Sequence, residues 1–279
     1  MSNAQRTSKE QPVIEGVKHI VAVASGKGGV GKSTVTVNLA LAMEAEGYRV
    51  GILDADIHGP SQAQMLGVGE GVRPAAAGEN RMHPLEAHGL KAMSMAFMVD
   101  TREPMVWRGP MVAGAFQQLL TQTLWDDLDF LFIDMPPGTG DIQLTLAQKV
   151  PVDGAVIVTT PQDIALLDAR KGIEMFRKVK VPVLGVVENM SLHVCSSCGH
   201  AEPIFGAGGG ERIAGEYETR VLGRLPLALS IREQVDGGRP TVVAEPDGEV
   251  TATFRDMARQ VAEQVVGQAD AGPSISFSD

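Results

Sequence analysis

Eight consecutive residues, Gly26-Lys27-Gly28-Gly29-Val30-Gly31-Lys32-Ser33, match G-x-x-x-x-G-K-[S/T] and point to phosphate chemistry. Glycines at this spacing let successive backbone N–H groups turn toward an anion. Lys32 adds a point charge, and the Ser33 hydroxyl is a ligand for Mg²⁺. Thr34, next in the chain, completes the expected ATP-binding run. A nucleotide held this way also needs carboxylates around the magnesium. Asp134 after FLFI, and Asp54 with Asp56 after VGIL, each follow an apolar run and are the candidates. The plainer alternative for each is a turn or helix-capping aspartate. Pro136-Pro137-Gly138-Thr139-Gly140-Asp141 follows Asp134 as a γ-phosphate-sensing loop would.

A second chemistry lies far along the chain. The only two cysteines, Cys195 and Cys198, are spaced C-x-x-C. In a reducing compartment this spacing suggests metal binding or redox chemistry more than a structural disulfide. Tetrahedral Zn²⁺ and a [4Fe-4S] cluster each normally take about four protein ligands. Two copies of the chain around a two-fold axis would supply four thiolates. Zn²⁺ on those thiolates, a redox disulfide and inert surface thiols stay open as alternatives, and His193 and His200 are nearby substitute ligands.

The elements that must position these groups can be read from the alternation of apolar runs and amphipathic segments. Strands are expected at His19–Ser25, Tyr48–Asp56, near Leu90, at Phe130–Pro136, Gly154–Thr160, Val181–Met190 and Val221–Leu225. Helices are expected at Lys32–Glu46, Met111–Gln122, Ile142–Lys149, Ile164–Val179 and Glu249–Val266. Continuous apolar strands separated by helices predict an α/β fold, a mostly parallel sheet covered on both faces with ligands at the carboxyl ends of the strands. Gly206–Gly210 (GAGGG) lacks a G-K-[S/T] ending and reads as a turn. The methionines of MSMAFM (93–98), with Met105 and Met111, read as core or interface packing. Trp107-Arg108 is either an exposed anchor or a buried Trp.

The 279 residues can bury the core of one large domain, and without a clear linker the expectation is a single domain over 17–267 between tails at 1–16 and 268–279. Lys and Arg number 24 against 34 Asp and Glu, a net charge of −10, so neither nucleic acid nor an anionic membrane is an expected partner. No run approaches the ~18 apolar residues of a membrane span. The polar start MSNAQRTSKEQ lacks the apolar stretch of a signal peptide, which places the chain in the cytoplasm as an expectation.

Lys27 inside the phosphate loop, D-A-D at 54–56 and D-M-P-P-G-T-G-D at 134–141 together resemble the deviant Walker-A P-loop ATPases of the MinD, ParA, arsenite-pump and nitrogenase iron-protein group. The resemblance implies a nucleotide-switched homodimer in which Lys27 reaches the phosphates of the other subunit. It also implies that Asp56 positions or activates the attacking water and that Ser33, Asp54 and Asp134 serve the Mg²⁺. Further segments (DADIHGPSQAQMLG, VWRGPM, DMPPGTGDIQLTL, ENMS before C-S-S-C-G-H, and IREQVDGGRP) resemble the Mrp/ApbC branch, iron-sulfur cluster carrier ATPases. That likeness runs from about Val17 to Val266. It implies ATP binding with slow hydrolysis and a labile [4Fe-4S] cluster on Cys195 and Cys198 of two subunits. The implied partners are apo iron-sulfur clients and an upstream cluster scaffold. Asn189 is implied at the adenine base, with Leu225–Leu227 and Arg232–Gly237 as weaker candidates for completing that pocket. Many bacterial members carry a small extra domain before the ATPase, whereas only about 17 residues precede it here. The rivals are a MinD/ParA-like positioning ATPase and a zinc-stapled nucleotide-binding module.

Overall fold

Alternate residues of the central strands serve opposite faces of one sheet. In β1 (Val17–Ala24), Val21 and Val23 enter one core while Ala22 and Ala24 enter the other. Successive side chains on a strand point to opposite faces, so a strand covered on both sides must be apolar throughout. The computed structural model describes residues 13–57, 59–69, 71–98, 109–195 and 197–270. From β1 the chain passes through the phosphate loop into α1 (Lys32–Ala45), then β2 (Val50–Asp54) and a single short turn of helix, α2 (Gln62–Met65). β3 (Leu85–Ala87), β4 (Leu90–Ser94), α3 (Gly109–Gln122), β5 (Leu128–Asp134), α4 (Asp141–Lys149), β6 (Gly154–Thr159), α5 (Asp163–Lys178) and β7 (Val183–Glu188) follow. A two-stranded hairpin, β8 (His193–Val194) with β9 (Ala201–Glu202), precedes α6 (Gly209–Glu216), β10 (Val221–Arg224), α7 (Leu229–Asp236), α8 (Thr241–Ala244) and α9 (Glu249–Asp270).

The main sheet runs β10-β7-β6-β1-β5-β2-β4-β3 and is parallel except for β3, which pairs antiparallel with β4. β5 lies between β1 and β2, so both strands of the first β-α-β unit pair with it and not with each other. In this register Asp134 stands opposite Val23 on one side and Asp54 on the other. Both carboxylates therefore reach the sheet edge where the phosphate loop turns.

On one face α1 is buried along most of its length and shares a core with Phe254, Met257 and Val261 of α9. On the other, Phe116 and Leu119 of α3, Leu146 of α4 and Phe176 of α5 fill the second core. Met93 and Met95 are buried there as packing residues, whereas Met111 is exposed. Met105, Trp107 and Arg108 lie outside the described residues. The glycine run at 206–210 is only partly the expected turn. Gly208 caps α6 in the left-handed region (φ 70°), and the last two glycines belong to the helix. The reason is local: the Gly210 N–H donates to the buried Glu188 carboxylate at 2.5 Å, which draws the run into a helical start. α9 continues to Asp270.

Candidate functional site

The phosphate loop is shaped by what surrounds it. A Cβ at Gly26 would sit 2.1 Å from the Asp168 backbone carbonyl, so only glycine lets α5 pack against the start of the loop. Gly31 adopts φ 81°, and a Cβ there would lie 2.2 Å from Asn189 Nδ2. Between them Lys27 is half-buried, Gly28 and Gly29 are exposed at the crest, and Val30 is buried beneath. Ser33 and Thr34 are half-buried in the first turn of α1.

Lys32 is buried and its ammonium pairs with the fully buried Asp134 carboxylate. It also lies 3.1 Å from the Ser33 hydroxyl. The Thr36 hydroxyl donates to the Lys32 carbonyl at 2.8 Å and stands 3.2 Å from Asp134 Oδ1. Two buried charges need such pairing, since either alone would be strongly unfavourable. The lysine expected on phosphate and the aspartate expected near magnesium thus neutralise each other here. Phosphate and a cation entering together would exchange partners with this pair and leave no buried charge uncompensated.

Asp54 is held by backbone donors. Its Oδ1 accepts from Asp56 N at 3.1 Å, and Oδ2 accepts from Ser61 N at 2.9 Å, Gln62 N at 3.1 Å and the Ser94 hydroxyl at 3.3 Å. Burial, and next the charge of Asp134, push its carboxyl up to about 7 against the pull of these donors. Asp56 is buried beside it and accepts from Gly59 N at 3.2 Å. Among the described residues no three His, Cys, Asp or Glu side chains gather as a ready-made metal cage. Hard oxygens from one hydroxyl and one or two carboxylates nevertheless suit Mg²⁺, which commonly keeps waters and takes the rest of its ligands from substrate phosphates.

The cysteines sit in the loop of the β8–β9 hairpin, Cys195 half-buried and Cys198 exposed. Cys195 N donates to the His200 carbonyl at 2.9 Å and Gly199 N to the Cys195 carbonyl at 2.8 Å, which closes the turn. The backbone N–H groups of Ser197 and Cys198 hold the Cys195 thiol below its usual range, favouring the thiolate that binds metals. His193 Nδ1 lies 3.0 Å from the Leu227 carbonyl, and neither it nor His200 joins the cysteines in a larger ligand cluster.

Asn189 links the two regions. Its backbone N–H donates to the Thr159 carbonyl at 2.8 Å, and its Nδ2 donates to the Val30 carbonyl at 2.9 Å. Leu225–Leu227 runs alongside, with Leu225 N bonded to the Glu188 carbonyl at 3.0 Å and Leu227 N to the Leu192 carbonyl at 2.8 Å. Arg232 pairs with Glu233 and Asp236 within α7. Sequence reasoning missed Gln62. It is buried, and its Nε2 donates to the Ser33 carbonyl at 3.0 Å and to Asp134 Oδ2 at 2.8 Å. The only available signal was a polar residue at a position where α2 turns inward.

Residues 16–262 match the family described as "ParA: NUBPL iron-transfer P-loop NTPase". The chain is 65% identical over 247 residues to the iron-sulfur cluster carrier protein of Pseudomonas fragi, covering 88% of this chain and 86% of that protein. A nucleotide-binding protein from Archaeoglobus fulgidus, solved in complex with ADP, superposes with a TM-score of 0.73 at 36% identity, covering 85% of this chain and 92% of that one. The Pyrococcus furiosus cell division ATPase MinD shares the fold, with a TM-score of 0.66 at 23% identity over 88% of this chain and 98% of its own. Together with the phosphate loop and its paired carboxylate, the match over 16–262 shows that this chain belongs to the ParA/NUBPL family of iron-transfer P-loop NTPases.

Proposed function

We propose that this chain is a homodimeric ATPase of the cytoplasm that carries a [4Fe-4S] cluster between Cys195 and Cys198 of two copies and hands it to apo-proteins. The cluster is cargo, received from an upstream scaffold and released to clients. Reduced thiols in that compartment suit the role. ATP acts as the switch. On binding, Lys32 leaves Asp134 for the phosphates, the Gly26–Thr34 backbone cradles them, and Asn189 borders the base. Bound Mg²⁺ would neutralise phosphate charge, with Ser33, Asp54 and Asp134 as its protein partners. Lys27 of each copy completes the site of the other, as a cation supplied in trans does in related phosphoryl transfers, and Asp56 orients the attacking water.

The observation that carries this reading is the short path between the two sites. Asn189 is bonded to Val30 in the phosphate loop, and the chain leaving Asn189 reaches Cys195 within six residues. A change in the loop on nucleotide binding can therefore reach the cysteine hairpin through one strand end.

Anaerobic reconstitution with iron and sulfide, followed by absorbance, iron and sulfide determination and sizing, tests the proposal. About four Fe and four sulfide per dimer are expected, lost in Cys198→Ala with ATP binding retained. Stoichiometric Zn²⁺ with no retained iron or sulfide would leave a zinc-stapled nucleotide-binding module instead.

A further inference from the structure

Gln62 has a side-chain oxygen with no partner in a place where such an atom is costly. The residue is 1% exposed, and its Oε1 is the buried side-chain polar atom left without a hydrogen bond among the described residues. The orientation of the amide is dictated by its neighbours. The Ser33 carbonyl and the Asp134 carboxylate can only accept, so Nε2 must face both of them and Oε1 is left over. Turning the amide over would set oxygen against two acceptors. Leaving a buried acceptor unmade is unfavourable, so this oxygen calls for a partner.

The surroundings identify the chemistry of that partner. Ser33, Asp54 and Asp134 surround Gln62 with oxygen acceptors, its own N–H is bonded to Asp54, and Lys32 supplies the local positive charge through Asp134. What this place lacks is a donor carried by a cation. We propose that Gln62 is a positioning residue for the magnesium–nucleotide complex: Nε2 keeps Asp134 against Ser33 while Lys32 departs, and Oε1 accepts a hydrogen bond from water brought in on the cation. The inference rests on Lys32, Ser33 and Asp134 forming the nucleotide site, and it adds a residue to that site that does not itself ligate metal. It also gives the short helix α2 a task, since its first residue joins the ends of β2 and β5 to the start of α1.

The test is the ratio of ATP dissociation constants without and with MgCl₂, measured by titration calorimetry on the full chain. Gln62→Met keeps the length of the side chain and removes both polar atoms. Beyond any loss of magnesium-free affinity from the missing Nε2 bonds, the gain from Mg²⁺ should shrink about tenfold, the size expected for losing a hydrogen bond within a charged network. Gln62→Leu reads the same ratio should the Met variant not fold. A purely structural glutamine would weaken both affinities together and leave the ratio unchanged; that result, or wild-type behaviour, overturns the proposal. A wild-type chain whose ATP affinity ignores Mg²⁺ would instead refute the underlying magnesium site, and the proposal with it.

Discussion

Asn189 donates its side-chain amide to the Val30 carbonyl at 2.9 Å, joining positions 159 residues apart in the chain. The bond lies where Gly31 has no side chain, and the tight fit makes glycine a requirement for the contact. Asn189→Ala should weaken ATP binding about fivefold to tenfold, the range for one lost hydrogen bond, with iron content after reconstitution unchanged. Calorimetry alongside iron determination checks this. Unaltered ATP affinity would remove Asn189 from the nucleotide site.

Asp134 balances Lys32, so removing the carboxylate strands a buried ammonium. Asp134→Ala should lower unfolding free energy by about 3 kcal/mol or more. The double variant Asp134→Leu with Lys32→Met should recover much of that loss, because neither charge is then left alone. Urea unfolding of the three proteins decides. A single variant as stable as wild type would mean that Lys32 readily finds water or another partner.

Lys27 is half-buried in the loop, where its carbonyl accepts from the Ser25 hydroxyl at 2.8 Å. Lys27→Ala should bind ATP within about twofold of wild type yet hydrolyse it at least about a hundredfold more slowly, as loss of a cation supplied in trans does elsewhere. Turnover at the wild-type rate would assign Lys27 to the solvated surface.

Asp129 anchors the start of β5 through Lys18 and Arg49, at 2.8 and 3.2 Å. The hydrogen bond from Arg49 is the largest influence holding its carboxyl well below the usual carboxylate range. The folded state thus takes up its proton at lower pH than the unfolded chain. The contribution to stability is complete above the unfolded value near 4 and disappears as pH falls from there toward the folded value. Asp129→Asn should therefore be less stable than wild type at pH 6, with the gap narrowing at pH 3. An equal gap in urea midpoint at both pH values would show that the charge is irrelevant.

Legibility followed length and locality. β1, α1, β5 and α5 each carry a full apolar period, and their expected bounds fall within about two residues of the observed ones. β3, β8, β9 and α2 have two to four residues each, too few for any period to show. The same divide runs through the site. The phosphate loop is one local string, whereas the contact of Gln62 with Asp134 spans 72 residues and depends on β5 lying between β1 and β2. The Lys32–Asp134 pair was hidden for a further reason: each residue reads as a ligand for something else, and nothing in spacing says that they hold each other meanwhile.

The strand order also governs how the chain must assemble. β1 has β5 and β6 as its neighbours, and neither begins before Leu128. A chain emerging during synthesis therefore exposes β1, unpaired on both edges, until more than a hundred further residues have appeared. Loop closure over that span is slow, and open strand edges invite association with other chains. The Lys32–Asp134 pair cannot form until β5 has emerged, so the buried ammonium of the loop gains this partner only then. A nucleotide that binds only the finished loop would stabilise completed molecules over unfinished ones by mass action.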